Sequence, residues 1–293
     1  MNKKVIALLC GLGAASIWGG MYVVSKVVLE VIPPFALLTL RLALGFLSLA
    51  VVIWLRKPNA PLTRKQILQC FLVGVVGYGV SLGFQFTGTK LSSASNGALI
   101  TSATPAFVLL FAFVLLREKI TGRQILALAI STLGVLAVID PRTAQLSPSL
   151  FSGNLLLFFA GLTWALYSVL VRKTASNMDL LTTSAVMLLG GIPSSAILGF
   201  REISTHGIGE ITVGIIGGIL FLGIISTAIA MFLWNYAFKE LPATVASLTF
   251  FAQPVVGTLL GWLFLSETIT PLFLFGGVLI GIGILISTRE YGS

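Results

Sequence analysis

Residues 94–121 read ASNGALITSATPAFVLLFAFVLLREKIT, and residues 243–270 read ATVASLTFFAQPVVGTLLGWLFLSETIT. The two stretches stand at a fixed offset of 149 residues. Identical pairs include Ala94/Ala243, Leu99/Leu248, Ala103/Ala252, Pro105/Pro254, Leu110/Leu259, Glu118/Glu267, Ile120/Ile269 and Thr121/Thr270, with Lys90/Lys239 ahead of them and Gly134/Gly283 behind. Leucine and alanine coincidences are cheap in an apolar chain. A proline inside an apolar run, a glutamate at its end and an Ile-Thr pair after that, all in one register, are not. An offset of 146 pairs Trp18 with Trp164 and Lys26 with Arg172. The chain therefore reads as one unit written twice, 1–145 and 146–293.

Composition says where such a unit lives. Of the 293 residues, 57% are apolar and 9% charged, against roughly 25% charged in an ordinary soluble domain. The mean hydropathy is +1.05. So few charges cannot cover the surface of a soluble protein this size, which excludes a soluble enzyme, a disordered chain and a nucleic-acid binder. A helix needs about 20 apolar residues to cross the hydrocarbon core. Stretches 5–28, 33–55, 67–87, 94–116, 125–139, 153–171, 180–200, 211–238, 243–265 and 272–287 are candidates, the fifth and tenth being short. The expected fold is an all-α integral membrane protein of ten transmembrane helices. The opening Met-Asn-Lys-Lys and the apolar residues behind it look like a signal peptide. The apolar stretch continues past Trp18 to Leu29, which reads as a retained first helix.

Each unit holds five spans. Five is odd, so the second copy enters from the opposite side, giving an inverted repeat about a pseudo-two-fold axis in the membrane plane. Cations set the orientation, because lysine and arginine concentrate in cytoplasmic loops. With both termini inside, thirteen of the eighteen fall in inside loops and ends. Lys90, Arg142 and Arg201 fall outside, and Lys26 and Arg41 lie within spans. The net charge of +9 then reports topology in the cytoplasmic membrane, not an acidic partner.

Cys10 and Cys70 both sit in apolar stretches, where packing is the plain reading and a disulfide the other. His206 falls in an outer loop. No Cys/His set for zinc or haem is present, and no GxxxxGK[ST] loop for ATP. No metal and no cofactor are expected. An enzyme would need paired carboxylates, a nucleophile with its base, or metal ligands at one depth, and no such set is visible.

Ten spans in two halves, Ala15-Ser16-Ile17-Trp18-Gly19 in the first span, and the paired Pro…(R/S)-E-x-I-T stretches together carry a resemblance. Over essentially its whole length the chain resembles the EamA-domain branch of the drug/metabolite transporter superfamily. The resemblance implies a secondary transporter, commonly an exporter of amino acids or other small metabolites, working without ATP hydrolysis. It also implies that the fourth and ninth spans border the central cavity. A drug or toxic-compound efflux protein, a passive channel and a membrane-embedded enzyme stay open as alternatives.

Transport sites of this architecture lie near the midplane, between repeats. Trp18, Tyr78, Pro105, Trp164 and Pro254 fall near span centres, with Ser226, Thr227 and Gln253 close to that level. Pro105 and Pro254 each remove a helix hydrogen bond and free the carbonyls of Thr101 and Phe250, which makes either a fixed kink or a hinge with polar lining. Trp18 and Trp164, with Tyr22, Tyr78 and Tyr167 nearby, are packing residues or cavity walls. Gln85, Asn96, Asn235 and Gln253 join helices or touch substrate, Gln253 being favoured by its place beside Pro254. Lys26 and Arg172 read as cations snorkelling at helix C-termini. Arg41 sits about 12 Å along its helix. It binds a substrate carboxylate, or pairs with backbone carbonyls or an end carboxylate such as Glu30. Glu118 and Glu267 fix loop geometry or pair with a cation such as Lys119. No carboxylate lies at mid-depth, so a central proton relay has no support. The partners expected are membrane lipid and a small-molecule substrate, anionic or zwitterionic by the cationic interior. Nothing in the sequence speaks to oligomeric state.

Overall fold

A computed structural model describes residues 2–56, 61–92, 94–139, 148–175, 178–265 and 271–289. Lys57, Asp140, Arg142, Glu267, Ile269, Thr270 and Glu290 lie outside the described residues. The described elements are all helical. They are α1 (Lys3–Val31), α2 (Pro34–Arg56), α3 (Arg64–Leu91), α4 (Ala94–Thr101), α5 (Thr104–Phe111), α6 (Gly122–Ile139), α7 (Phe151–Ala175), α8 (Leu180–His206), α9 (Val213–Glu240), α10 (Ala243–Leu248), α11 (Ala252–Leu265) and α12 (Pro271–Arg289). Among the described residues seven stretches are long and apolar enough to cross a membrane: α1, α2, α3, Leu99–Leu116, α7, α8 and α9. Gly122–Val138, Ala243–Gly257 and Leu274–Ser287 are shorter apolar helices. Hydrocarbon offers no partner for backbone N–H and C=O groups, so long apolar runs satisfy them internally by winding into helices.

Burial is inverted relative to a soluble protein. Val213 is 87% and Trp54 75% exposed, while Arg41, Ser226 and Asn235 are 0%. Large apolar side chains cover the outside and polar ones gather within, as a lipid solvent demands. Ends are fixed by polar caps. Thr63 with Gln66 and Thr121 with Gln124 form reciprocal capping boxes at the starts of α3 and α6, and Asp179 and Thr212 cap α8 and α9. Each such cap contributes about 1 kcal/mol.

The two prolines stand where helices restart. After α4 the chain turns at Ser102 and Ala103, and Pro105 falls in the first turn of α5. A short 3₁₀ turn (Thr249–Phe251) separates α10 from α11, and Pro254 falls in the first turn of α11. First-turn N–H groups have no intrahelical partner, so proline is tolerated there. The carbonyl of Thr101 is not left bare, because it accepts the Thr104 hydroxyl at 2.6 Å. Val75–Ser81 of α3 and Phe221–Ile229 of α9 wind as wider π-type turns at overlapping positions 149 residues apart.

Helices far apart in sequence pair. Helices α6 and α12 pack together, as do α2 and α8. Helix α1 packs on the end of α9 and on α11, while α7 packs on the end of α3 and on α5. At the α6–α12 contact a Cβ on Gly134 would lie 2.7 Å from the Gly276 carbonyl oxygen, and one on Gly276 2.5 Å from that of Gly134. A Cβ on Gly283, the repeat mate of Gly134, would lie 2.8 Å from the carbonyl of Ala127, the mate of Gly276. One contact is thus made twice, at positions 149 residues apart. Only glycine lets these backbones approach so closely.

Candidate functional site

A cavity of about 30 Å3 lies among α1, α3, α4, α5, α7, α9 and α11. It has room for roughly two waters. Trp18, Trp164, Met21, Leu82, Met231 and Phe250 supply apolar wall, and Tyr22, Ser81, Gln85, Thr101, Thr104 and Gln253 supply polar wall. One side is a directed chain of hydrogen bonds. The Gln85 amide donates to the Tyr22 hydroxyl at 2.9 Å, and the Thr101 hydroxyl donates to the Gly97 carbonyl at 2.6 Å. Tyr22 therefore donates to Thr101, 2.9 Å away. Gln253 stands beside the same tyrosine. The floor is aromatic: Trp18 meets Trp164 edge-on at 5.5 Å between ring centres and Trp234 at 5.2 Å. Trp18 Nε1 donates to the Ser226 carbonyl at 3.0 Å within the π-type turn of α9. Trp164 Nε1 is buried with no hydrogen-bond partner among the described residues.

Five of the expected site residues thus come together on the cavity: Trp18, Tyr22, Thr101, Trp164 and Gln253. Arg41, Tyr78 and Tyr167 do not line it. Arg41 lies behind Met21 and Trp18, fully buried, with Nε donating to Thr227 Oγ1 at 2.8 Å. Glu30 is exposed and is not among its partners. Tyr78 and Tyr167 belong to a second polar chain. Tyr78 donates to Tyr167, Tyr167 to Asn235 Oδ1 at 2.7 Å, and Asn235 Nδ2 to Ser184 at 3.0 Å. That chain ties α3, α7, α9 and α8 together. Asn96 bonds Ser92 and Asn154, so it joins the starts of α4 and α7. Pro105 and Pro254 are buried at the helix restarts beside Thr104 and Gln253 of the wall.

The end cations act as helix caps. Lys26 Nζ donates to the carbonyls of Thr89, Lys90 and Ser92 at the end of α3, at 3.1, 3.4 and 2.9 Å. Arg172 donates to those of Phe238 and Leu241 at the end of α9. Phe238 and Leu241 are the mates of Thr89 and Ser92, so paired cations cap paired carbonyls. The cation for Glu118 is Arg172, at 2.8 Å, and not its neighbour Lys119. The same carboxylate accepts the backbone N–H of Ala243 and Thr244 at 3.2 and 3.5 Å, closing the open end of α10. At Glu118 the carboxylate favours the positive end of the helix that begins the matching segment 149 residues on. Glu202 does likewise for α2, accepting from Phe35 at 2.7 Å.

Sequence reading named Phe250 only for its carbonyl and missed Met21, Ser81, Leu82, Thr104, Ala160, Gly161 and Met231 on the wall. A signal was available for the Phe250 side chain, since Phe250 is the mate of Thr101. Cys10 and Cys70 are free thiols. Among the described residues no three His, Cys, Asp or Glu side chains group as a metal site.

The pattern of the EamA-like transporter family matches residues 5–139 and again residues 151–289. The chain belongs to this family. It is a multi-pass membrane transporter, and its substrate is a small molecule. An "Uncharacterized transporter" of Archaeoglobus fulgidus is 30% identical over 291 residues, covering 99% of this chain and all of that one. The "Uncharacterized transporter YoaV" of Bacillus subtilis is 24% identical over 94% of each chain. A "Probable amino-acid metabolite efflux pump" of Salmonella typhimurium is 26% identical over 286 residues, 92% of this chain and 91% of that one. A solved structure titled "Crystal structure of protein" superimposes with a TM-score of 0.79 at 19% identity, covering 97% and 96% of the two chains. That likeness concerns the fold alone.

Proposed function

We propose that this EamA protein is a secondary exporter of amino acids or similar small metabolites. It works by alternating access between two inverted five-helix repeats, 1–145 and 146–293, spanning the cytoplasmic membrane ten times with both termini inside. The observation that carries this reading is a cavity with a filled counterpart. The polar wall Tyr22–Gln85–Thr101 has repeat mates Ser168, Trp234 and Phe250. Those mates also touch one another: Trp234 Nε1 donates to Ser168 at 3.0 Å, and the Trp234 and Phe250 rings stand 5.6 Å apart. Both halves wall the cavity, but the first trio leaves space beside it while the second is closed on itself, with Phe250 of the second also facing the cavity. Exchange of the two arrangements would close the first side and open the second, which is what an inverted repeat makes inexpensive.

Trp18, Tyr22, Thr101, Trp164 and Gln253 contact the solute, and the helix restarts at Pro105 and Pro254 act as hinges. The Salmonella relative's name supports an amino-acid metabolite as the substrate class. Trp18, Met21, Trp164, Met231 and Phe250 in the wall favour one second reading, efflux of larger amphiphilic compounds. Counterflow in proteoliposomes tests both. Protein reconstituted with a high internal concentration of unlabelled solute should accumulate the labelled solute transiently, without ATP. A panel of amino acids and metabolites distinguishes the first reading from a panel of amphiphilic dyes. Steady unitary currents in a planar bilayer, with no saturable counterflow, would refute alternating access.

A further inference from the structure

Arg41 is fully buried, yet none of its contacts among the described residues is a carboxylate. Its one short bond is Nε to Thr227. The terminal nitrogens are poorly held: Nη1 lies 3.6 Å from Met21 Sδ, and Nη2 lies 3.5 Å from both the carbonyl and the hydroxyl of Ser226. The guanidinium carbon stands 5.0 Å over the Phe86 ring. A guanidinium presents five N–H donors, and a buried cation ordinarily needs an anion or several good acceptors to offset its lost hydration. Here a thioether, a ring face and two long contacts surround it.

The other half shows that the architecture does not require this cation. Met21, Phe86 and Thr227 are the repeat mates of Tyr167, Asn235 and Tyr78. Those three satisfy one another in the chain that ends at Ser184. The arginine is therefore an addition to one half, set where its neighbours leave its donors underused. Two of its contacts reach the cavity. Met21 is itself cavity wall, and the Trp18 indole shares the Ser226 carbonyl with Nη2. Methionine is unbranched and turns aside readily. Among the described residues the lining of the cavity includes no acidic group, and Trp164 Nε1, without a partner there, adds a further donor in the same wall.

We propose that the transported solute carries a carboxylate, and that this group docks on the Arg41 guanidinium by displacing Met21 from the cavity wall. The proposal rests on the transporter reading and adds to it a substrate charge and a route to the charge-reading group. Arg41 supplies paired donors for the two carboxylate oxygens; Met21 keeps the cation covered when no solute is bound.

The test works with the solute unidentified. In a Cys10→Ser, Cys70→Ala background, Met21→Cys is labelled with an anionic ethylsulfonate methanethiosulfonate and with its cationic trimethylammonium analogue. Each rate is divided by the rate with a free thiol. The sulfonate should be favoured about tenfold or more, as a positive pocket concentrates anions. Arg41→Gln should bring the ratio to near one, and Arg41→Lys should keep it. Propionate should slow the sulfonate reaction, while propionamide and chloride at equal concentration should not. A ratio unchanged by Arg41→Gln, no labelling by either reagent, or equal protection by propionamide or by chloride would each overturn the proposal. If Arg41→Gln fails to give a monodisperse protein, the propionate–propionamide comparison with Arg41 present decides alone. Intact charge selectivity with no counterflow of any solute would remove the transporter reading and leave the anion site standing.

Discussion

Gly134→Ala perturbs a helix contact made largely by backbone. The added Cβ would stand 2.7 Å from the Gly276 carbonyl oxygen, 2.8 Å from Ile280 Cγ1 and 3.0 Å from the Ile280 nitrogen. Ordinary contact begins near 3.4 Å, so α6 and α12 must part by about 0.7 Å. Two of the three obstacles are backbone atoms and cannot swing away. Overpacking of this size costs about 1–3 kcal/mol. Alanine in place of a mid-helix glycine returns about 1 kcal/mol through helix propensity. The net expectation is a loss of about 1 kcal/mol. Gly281→Ala in α12 is the matched control, because it is exposed and a Cβ there meets nothing within 4 Å. It should show only the propensity gain. The assay is the apparent melting temperature of purified protein in one detergent at one scan rate, since unfolding of such proteins is commonly irreversible. At about 2 °C per kcal/mol for a chain of this size, Gly134→Ala should melt about 4 °C below Gly281→Ala. Equal melting of the two variants, or a higher temperature for Gly134→Ala, would refute the claim that this backbone contact sets the α6–α12 spacing.

Other expectations follow from the same structure. Glu118→Gln should lower stability by about 1–2 kcal/mol, because the carboxylate serves both Arg172 and the start of α10. Paired with Arg172→Met it should cost less than the sum of the single changes, and strict additivity in a double-mutant cycle would show the two are uncoupled. Trp164→Phe keeps an aromatic ring and removes a buried, unpartnered N–H, so the melting temperature should hold or rise. A fall of several degrees would mean the indole nitrogen has a structural partner. Tyr167→Phe breaks the chain from Tyr78 to Ser184 in its middle and strands Asn235 Oδ1, at a cost of about 1–3 kcal/mol measured by the same melt. Asn235→Ala should add little once Tyr167 is changed.

Apolar stretches, repeat register and helix interruptions are legible in the sequence because each has a composition cue. Proline and charged residues are rare enough in this chain to carry information. Pro105 and Pro254 mark real discontinuities, and the offsets point to residues that do make matching contacts, such as Lys26 and Arg172. Helix rotation is much harder to read. Inside a membrane both the lipid face and the packed face are apolar, so periodicity does not say which way Tyr78 or Arg41 points. That is why the sequence does not separate Trp18 and Tyr22, which line the cavity, from Tyr78 and Tyr167, which bond each other behind it. Long-range partners are also hidden. Nothing near Glu118 in the sequence announces Arg172, and Lys119 is simply the cation next door. The π-type turns carry no residue signature at all, although they place the Ser226 carbonyl within reach of Trp18 and Arg41.

The cavity's small size, room for about two waters, has a consequence for any affinity measured on this protein. A metabolite cannot enter at that volume, so binding waits on a widened state. If that state holds about one molecule in a hundred, the observed dissociation constant is about a hundredfold weaker than the contacts alone would give. A substitution that merely props the walls apart, at Met231 or Phe250 for example, would then tighten apparent binding without touching the solute. Weak affinity in the resting protein would report the population of the open form, and ranking solutes by it would rank how well each holds the door rather than how well each fits the room.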